Sequence, residues 1–333
     1  MVGNLPLKLL FAGTSRFAVP ALEALARSAH QVLAVITRAD RPAGRGQRLR
    51  ASPVRRSAAA LGLPVRTPEP IHSVSELAAL ARLGADLMVV AAYGQILTRE
   101  VLALPRLGCV NLHGSLLPSW RGAAPVAHAL LAGDPVTGVT LMQMDAGLDT
   151  GPVLAQARAA VTAEDDRGGL TDRLAGVAAR LLIDSLPRLA AGELPPLPQD
   201  EALVSYAPAL KREEGQVNWS RPGQPLWRQI RAYTPRPGAF TFLASGRRLL
   251  LRRARVLAPH EDLPTGPPGS LGPPGKGGGI PVRCGGETGL MLLRVQPGGC
   301  REMEAAAAVR GGHLALGTAL GGSGRIDGPE SPC

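Results

Sequence analysis

An amide and an imidazole stand two residues apart at the end of a predicted strand. The apolar run around Val110 and Leu112 contains Asn111, and His113 follows directly before Gly114. Side chains two residues apart on a strand point to the same side, and open α/β sheets hold their ligands at the carboxyl ends of their strands. Asn111 and His113 are therefore candidate catalytic groups. The alternatives are a structural histidine, which is the commoner role of a single His near a strand, and an asparagine that caps the following turn.

A carboxylate in a second loop is the third candidate. Asp149 lies between Gly147 and Gly151, in a loop that follows a predicted strand at residues 139–143. From that position it could meet His113 in space. The alternative, about as well supported by spacing alone, is a side chain that forms the turn before Thr150.

The elements that must position these groups alternate between strand and helix. The predicted strands are Leu7–Ala12, Gln31–Ile36, Asp86–Ala92, Val110–Leu112 and Val139–Gln143. The predicted helices are Phe17–Ala29, Val54–Leu61, Ala124–Leu131 and Leu170–Leu186, the last ending before Pro187. Such alternation predicts an α/β fold with an open, mostly parallel, Rossmann-like sheet. The Gly13-Thr14 turn lacks the later glycines of a dinucleotide-binding loop, so no nicotinamide cofactor is expected.

Composition divides the chain into four regions. We predict a catalytic domain at residues 1–191, a linker at 192–207 that begins with a Pro-stiffened stretch, a second domain at 208–318 and a disordered Gly/Ser/Pro tail at 319–333. In the second domain, the strand-like runs Phe240–Leu243, Arg247–Val256 and Leu290–Val295 are separated by turn-rich stretches. Short strands with long Gly/Pro loops predict a small β-barrel.

Composition also bears on where the protein is found. Apolar residues make up 45% of the chain and charged residues 19%, which is typical of a globular protein rather than a disordered one. No apolar run approaches the roughly 20 residues that cross a bilayer, and the first residues lack the features of a secretion signal. The cysteines at 109, 284, 300 and 333 follow no metal-binding or redox spacing. We therefore expect a cytoplasmic protein with no membrane association, no bound metal and no disulfide framework.

The net charge is unevenly distributed. The chain carries 37 basic and 26 acidic side chains, for a formal net charge of +11. Residues 208–318 hold 16 bases and 7 acids, whereas the rest of the chain holds 21 bases and 19 acids. A near-neutral region joined to a basic one is typical of a catalytic domain that carries a module for a polyanion. The alternative is a solvated basic surface.

Four segments together resemble the folate-dependent formyltransferases, and within them the branch that acts on methionyl-tRNA. The segments are Asn111–Pro118, Asp40–Gly46, Arg121–Pro125 and Met142–Gly151. The resemblance extends from about Leu9 to about Gly317. It implies the formyltransferase fold, with a C-terminal OB-like domain that binds tRNA, and it implies 10-formyltetrahydrofolate as co-substrate and initiator methionyl-tRNA as partner. We also expect a monomer.

The resemblance assigns roles to individual residues. Asn111 would hydrogen-bond the formyl oxygen, and His113 would stabilise that oxygen as it becomes anionic, because acyl transfer needs preplaced donors. Asp149 would orient His113, favour its charged form and help a water take the proton of the attacking amine. No metal is required. The residues implied to line or border the folate site are Ser115, Leu116, Leu117, Pro118, Tyr93 and Gln95.

For tRNA, the resemblance indicates an arginine-rich loop. Residues 38–56 contain seven arginines and one acid, and Arg41, Arg45 and Arg48 are the implied tRNA contacts. The alternative is a solvated loop. Arginines in the 247–255 run are further, weaker candidates. Two other functions remain open from the sequence: a formyltransferase of a small amine, and an RNA-binding protein without catalysis.

Overall fold

The computed structural model describes residues 6–43, 48–275 and 277–322, and the side chains of Ala43 and Arg48 are not part of that description. The chain separates into two compact units. Unit 1 comprises the residues up to 125 together with 135–161 and 169–208. Unit 2 comprises 126–134, 162–168 and the residues from 209 onward.

Unit 1 is built on a mostly parallel sheet. In the described part of the chain this sheet has seven strands in the order β5-β2-β1-β6-β7-β8-β9. The strands are β1 (Lys8–Gly13), β2 (Gln31–Ile36), β5 (Val65–Arg66), β6 (Leu87–Ala91), β7 (Cys109–His113), β8 (Val136–Gln143) and β9 (Val153–Ala160). The first five in that order are parallel, and β8 and β9 join antiparallel at one edge. The predicted α/β class and mostly parallel sheet are confirmed.

Several helices begin at a side-chain cap or a proline. The helices in this part of the chain are α1 (Val19–Ala26), α2 (Pro53–Ala60), α3 (Val74–Ala81), α4 (Arg99–Leu102), α5 (Pro125–Ala132) and α6 (Arg167–Ala190). At α2, the Ser52 hydroxyl accepts the Arg55 N–H at 3.0 Å, and Pro53 occupies the first helical position, where its missing N–H costs nothing. Strands β1, β2 and β6 contribute Leu10, Ile36 and Met88 to one buried cluster.

Two predicted helix ends are wrong. The helix predicted at Phe17–Ala29 ends at Ala26 in the structure, and α6 runs past its predicted end. We expect α6 to end before Pro187, but the helix continues to Ala190. Proline removes one N–H donor, and here the helix extends by only one further turn beyond it. The Pro187 carbonyl still accepts the Ala191 N–H at 3.1 Å, so the last turn closes normally.

The arginine-rich segment is not a plain loop where it is described. Strands β3 (Arg41–Ala43) and β4 (Arg48–Arg50) pair antiparallel, with Arg41 opposite Arg50. The Arg55 guanidinium lies 2.8 Å from the Asp40 carboxylate. Part of the positive charge of this segment is therefore balanced within it.

Unit 2 contains an antiparallel sheet. Among the described residues its main path is β10-β11-β13-β12, and β14 pairs with β13. The strands are β10 (Ala239–Phe242), β11 (Arg248–Val256), β12 (Ile280–Cys284), β13 (Thr288–Pro297) and β14 (Met303–Glu304). Helix α7 (Gly223–Tyr233) packs against β11, and α8 (Ala305–Arg310) packs against β13. An antiparallel C-terminal sheet domain is confirmed, while its closure into an OB-like barrel stays a prediction.

The cysteines differ in state. Cys109 and Cys284 are free and buried, and burial raises the pKa of each thiol to about 12. Cys300 is disulfide-bonded. The sequence leads us to expect no disulfide framework, and the bonded state of Cys300 departs from that expectation, because spacing along the sequence does not show which sulfurs meet in space.

Candidate active site

Strand β7 places Asn111 and His113 at the carboxyl end of the sheet. The strand is buried along its whole length between β6 and β8. Asn111 lies beside Val90 on one neighbouring strand and beside Met142 on the other, and His113 lies opposite Thr140. The two-residue separation puts both side chains on one face, as predicted from the sequence.

His113 is held between two acceptors. Its Nε2 lies 2.9 Å from the carbonyl oxygen of Trp120, and a carbonyl can only accept, so Nε2 carries a hydrogen and donates. Its Nδ1 lies 3.6 Å from Asp149 Oδ2, close enough for an ion pair but longer than a hydrogen bond. Both ring nitrogens of His113 therefore face an oxygen acceptor.

Asp149 joins the two strand residues from the loop after β8. Its Oδ2 accepts the Gly122 N–H at 2.9 Å, and its Oδ1 accepts a longer bond from the Asn111 amide at 3.4 Å. Its backbone is left-handed, with φ +53°, a conformation that is uncommon for residues other than glycine. The structure therefore brings Asn111, His113 and Asp149 together, although they are separated by up to 38 residues along the chain.

The turn after β7 is fixed by hydrogen bonds. The Ser115 hydroxyl donates to the Ser119 carbonyl at 2.6 Å, and the peptide bond between Leu117 and Pro118 is cis. The Thr140 hydroxyl donates to the Ser115 carbonyl at 2.7 Å and accepts the Leu117 N–H at 3.0 Å. Ser115 and Leu117 are buried, whereas Leu116 and Pro118 are half-buried. Of the four residues predicted to line the folate site after β7, Leu116 and Pro118 are therefore the ones with solvent-accessible surface.

Tyr93 and Gln95 follow β6 at the same end of the sheet. Tyr93 is 2% exposed, and its hydroxyl has no hydrogen-bond partner within the described residues. Burial raises the pKa of this phenol, so the group is neutral at physiological pH. The Gln95 amide donates to the Pro68 carbonyl at 3.0 Å and accepts the Ile71 N–H at 3.2 Å. Tyr93 therefore keeps an unsatisfied buried polar atom, whereas the hydrogen-bonding capacity of Gln95 is largely used within the protein.

The predicted tRNA-binding arginines are only partly described. Arg41 is exposed in β3, with Nη2 3.7 Å from the Glu69 carboxylate. Arg48 begins β4, but its side chain lies outside the described residues, and Arg45 lies outside them altogether. In unit 2, Arg252 donates to the Pro235 carbonyl at 2.8 Å, and Arg253 pairs with Glu164.

Two side chains that we did not select from the sequence are linked to Asp149: Gln199 bonds it directly, and Arg121 bonds Gln199. Arg121 lies in one of the four segments that carry the family resemblance, but the sequence analysis gives this residue no role. Its Nε donates to Gln199 Oε1 at 3.0 Å, and the Gln199 amide donates to the Asp149 carbonyl at 2.8 Å. Gln199 belongs to the stretch that we interpret as a linker, and the structure places residues 192–207 in unit 1. Nothing in the local sequence marks it.

Two further searches cover the described residues. No three His, Cys, Asp or Glu side chains there lie close enough together to hold a metal ion. Among those same residues, no helix has the length and apolar character that spanning a membrane requires.

The fold and the site define a formyl transferase. Residues 7–186 match the family model for formyl transferase, and residues 209–313 match the model for the formyl transferase C-terminal domain. Among curated proteins, the methionyl-tRNA formyltransferase of Thiobacillus denitrificans is 45% identical over 315 residues, which cover 95% of this chain and 100% of that protein. The enzyme of the same name from Paracoccus denitrificans is 47% identical over 306 residues, covering 92% and 97%. The chain belongs to the methionyl-tRNA formyltransferase family and is a transferase.

Solved structures agree with the fold at low sequence identity. HypX from Aquifex aeolicus, solved with tetrahydrofolic acid, matches with a TM-score of 0.62 at 16% identity, covering 93% of this chain and 48% of HypX. This chain thus spans about half the length of HypX. An N-formyltransferase from Helicobacter canadensis matches with a TM-score of 0.62 at 17% identity, covering 86% and 98%. These likenesses show the fold alone.

Proposed function

We propose that the protein transfers the formyl group of 10-formyltetrahydrofolate to the α-amine of initiator methionyl-tRNA. The observation that carries the proposal is the convergence of Asn111, His113 and Asp149 at the carboxyl end of β7. Family membership supports the choice of folate and tRNA as the two substrates. We propose that the enzyme acts as a monomer in the cytoplasm.

The reaction needs donors for a developing oxyanion. The lone pair of the amine forms the new C–N bond, the formyl oxygen takes the negative charge, the bond from carbon to N10 breaks, and one proton passes from the amine to N10. The Asn111 amide and the Nε2–H of His113 supply hydrogen bonds to that oxygen. Asp149 holds His113 and, through a water, helps remove the proton of the amine.

The contact between His113 and Trp120 is compatible with this role. The Nε2–H of His113 donates to a neutral carbonyl oxygen at 2.9 Å. An oxyanion is a stronger acceptor than a neutral carbonyl. The hydrogen bond can therefore transfer to the formyl oxygen as negative charge develops there, while Asp149 continues to face Nδ1.

The unsatisfied Tyr93 hydroxyl and the partly exposed Leu116 and Pro118 support a folate site at the carboxyl end of the sheet. An apolar wall with a few placed polar atoms is the usual form of a small-molecule site. We propose that Tyr93, Gln95 and residues 115–118 contact the folate. We propose that Arg41, Arg45 and Arg48 contact the tRNA backbone.

The test is a formylation assay with alternative acceptors. We expect the protein to convert 10-formyltetrahydrofolate and charged initiator methionyl-tRNA into formylmethionyl-tRNA, detected as N-formylmethionine after the ester bond is hydrolysed. Free methionine and an amino sugar nucleotide serve as small-amine controls. Formylation of a small amine with none on tRNA would refute the tRNA assignment, and formylation of no acceptor would refute the proposed function.

A further inference from the structure

A buried arginine is linked through Gln199 to the turn that carries Asp149. The Arg121 side chain is 1% exposed, although it carries a permanent charge. Its Nη2 and Nη1 donate to the two carboxylate oxygens of Glu201 at 2.8 and 3.2 Å, and its Nε donates to Gln199 Oε1 at 3.0 Å. Buried charge is tolerated when it is paired and hydrogen-bonded. The pairing with Glu201 meets that condition, and the third bond fixes Gln199.

The position of Arg121 determines which way the Gln199 amide points. Arginine can only donate, so the amide oxygen must face it. The amide nitrogen then faces the carbonyl oxygens of Asp149 and Gly151, at 2.8 and 2.7 Å. The reverse orientation would put an acceptor against two carbonyls and a donor against a guanidinium. Each atom of this amide therefore has a determined partner.

Gln199 bonds a turn, residues 149–151, whose backbone conformation must be stabilised by its surroundings. Asp149 is left-handed at φ +53°, and such conformations persist where the surroundings determine them. Gly151 is pressed against β8, because a Cβ built on it would lie 1.9 Å from the Gln143 carbonyl oxygen. Gln199 bridges the two carbonyls on either side of Thr150, so it ties the left-handed residue to the segment packed on β8.

We infer that Gln199, oriented by Arg121, is a positioning residue that holds the Asp149 carboxylate against His113 and the Gly122 N–H during formyl transfer. The inference rests on the proposed function for its kinetic consequences. Gln199 bonds the backbone carbonyl of Asp149 and not its carboxylate. It therefore acts by positioning Asp149 and not by contact with the substrate. Residues 192–207, which we interpret from the sequence as a linker, would thus also position a residue of the site in unit 1.

Two substitutions separate hydrogen bonding from packing. Gln199→Glu keeps an acceptor for Arg121 but replaces the two N–H donors with an oxygen that faces the Asp149 and Gly151 carbonyls. Gln199→Met keeps the length of the side chain and removes every hydrogen bond, and it serves if the glutamate variant fails to fold. Leu203→Ala, at a 63% exposed position in the same segment, is the matched control.

The kinetic test is a split between kcat and KM. We expect Gln199→Glu to lower kcat by about 100-fold, the size of effect that a misplacement of about 1 Å produces, with KM for both substrates within about twofold and unchanged values for Leu203→Ala. In an Asp149→Ala background the same substitution should change kcat little, because the carboxylate that it positions is gone. Equal losses in both backgrounds, or unchanged kcat in the single variant, would overturn the inference.

A readout without turnover keeps the inference separate from the proposed function. We expect the ¹⁵N resonances of the His113 ring to shift in Gln199→Glu, assigned by their loss in His113→Asn, and to stay in place in Leu203→Ala. A wild-type protein that formylates no acceptor would refute the function, while the ring resonances would still decide the inference. Identical His113 resonances in wild type and Gln199→Glu would refute it.

Discussion

At the scale of single residues, the site is defined by what each polar atom faces. His113 has an acceptor at each nitrogen, and Asp149 accepts from both Asn111 and the Gly122 N–H. The proposed reaction uses the amine of the substrate as the nucleophile, so it assigns none of these side chains that role. In the proposed reaction the amine attacks directly, and these groups supply donors and orientation.

The residue-scale prediction concerns His113. We expect His113→Ala to lower kcat by about 100- to 1,000-fold, the usual cost of losing one donor to an oxyanion, with tRNA affinity nearly unchanged because the imidazole is 95% buried among protein groups. His72→Ala, at an exposed position, is the control. Steady-state kinetics and a tRNA filter-binding assay measure the two quantities. A parallel loss of binding and turnover would argue against the assigned role.

At the scale of elements, glycines show where strands and helices are tightly packed. Gly138 lies in β8, and a Cβ there would lie 2.2 Å from the Ala157 carbonyl and 2.5 Å from the Leu116 side chain. Gly176 lies inside α6, where a Cβ would approach only Arg180, at 3.9 Å. The same chemical change therefore has opposite expected effects at the two positions.

We expect Gly138→Ala to lower the free energy of unfolding by about 1–3 kcal/mol through overpacking. We expect Gly176→Ala to raise it by about 0.5–1 kcal/mol, because alanine loses less backbone entropy in a helix. Urea unfolding followed by circular dichroism measures both. Because Leu116 borders the proposed folate site, Gly138→Ala should also raise KM for the folate, whereas Gly176→Ala should leave it unchanged. Stabilisation by the β8 variant would contradict the packing described for that strand.

At the scale of the whole molecule, the sequence carries a formal net charge of +11. Several of its arginines are nonetheless paired within the protein: Arg55 pairs with Asp40, and Arg253 with Glu164. Each ion pair removes one cation and one anion, so it leaves the net charge unchanged, but the count of 37 basic side chains exceeds the number of cations free to meet a phosphate. Attraction to a polyanion depends on the remaining unpaired groups, and it weakens as salt screens them.

The charge argument gives a prediction for Arg45. We expect Arg45→Ala to weaken kcat/KM for tRNA and to reduce the slope of its logarithm against the logarithm of salt concentration by about one unit. The KM for folate should not change. Arg82→Ala, an exposed arginine outside the basic segment, is the control. An unaltered salt slope in Arg45→Ala would remove this residue from tRNA binding.

Stability at low pH gives a second prediction for the molecule. Hydrogen bonds from Arg255, and then from the Ala258 N–H, lower the pKa of Glu261 from 4.5 to about 2. A carboxyl whose pKa is lowered on folding stabilises the protein above its unfolded pKa, and that contribution is lost as the pH falls from 4.5 toward 2. We therefore expect Glu261→Gln to be less stable than wild type at pH 7 and to lose less stability on acidification, measured by urea unfolding. Glu213→Gln is the exposed control. Parallel stability curves for wild type and Glu261→Gln would contradict this expectation.

The sequence by itself determined the alternation of strands and helices and the shared face of Asn111 and His113, because burial and side-chain direction repeat locally along an element. It also carried the motifs of the family. It did not determine that α6 runs past Pro187, since a helix tolerates one missing donor near its end. Nor did it mark Cys300 as disulfide-bonded.

Only the tertiary structure decided which distant groups meet. The approach of Asp149 to His113 depends on the pairing of β7 with β8, and the contact of Gln199 with Asp149 depends on the path of the chain after α6. Residues 192–207 have the composition of a linker, yet the Gln199 amide and the Glu201 carboxylate bond Arg121, and the same amide bonds the turn at Asp149. Contacts of this kind are formed when the chain folds back on itself, so they leave no period or spacing in the local sequence from which they could be predicted.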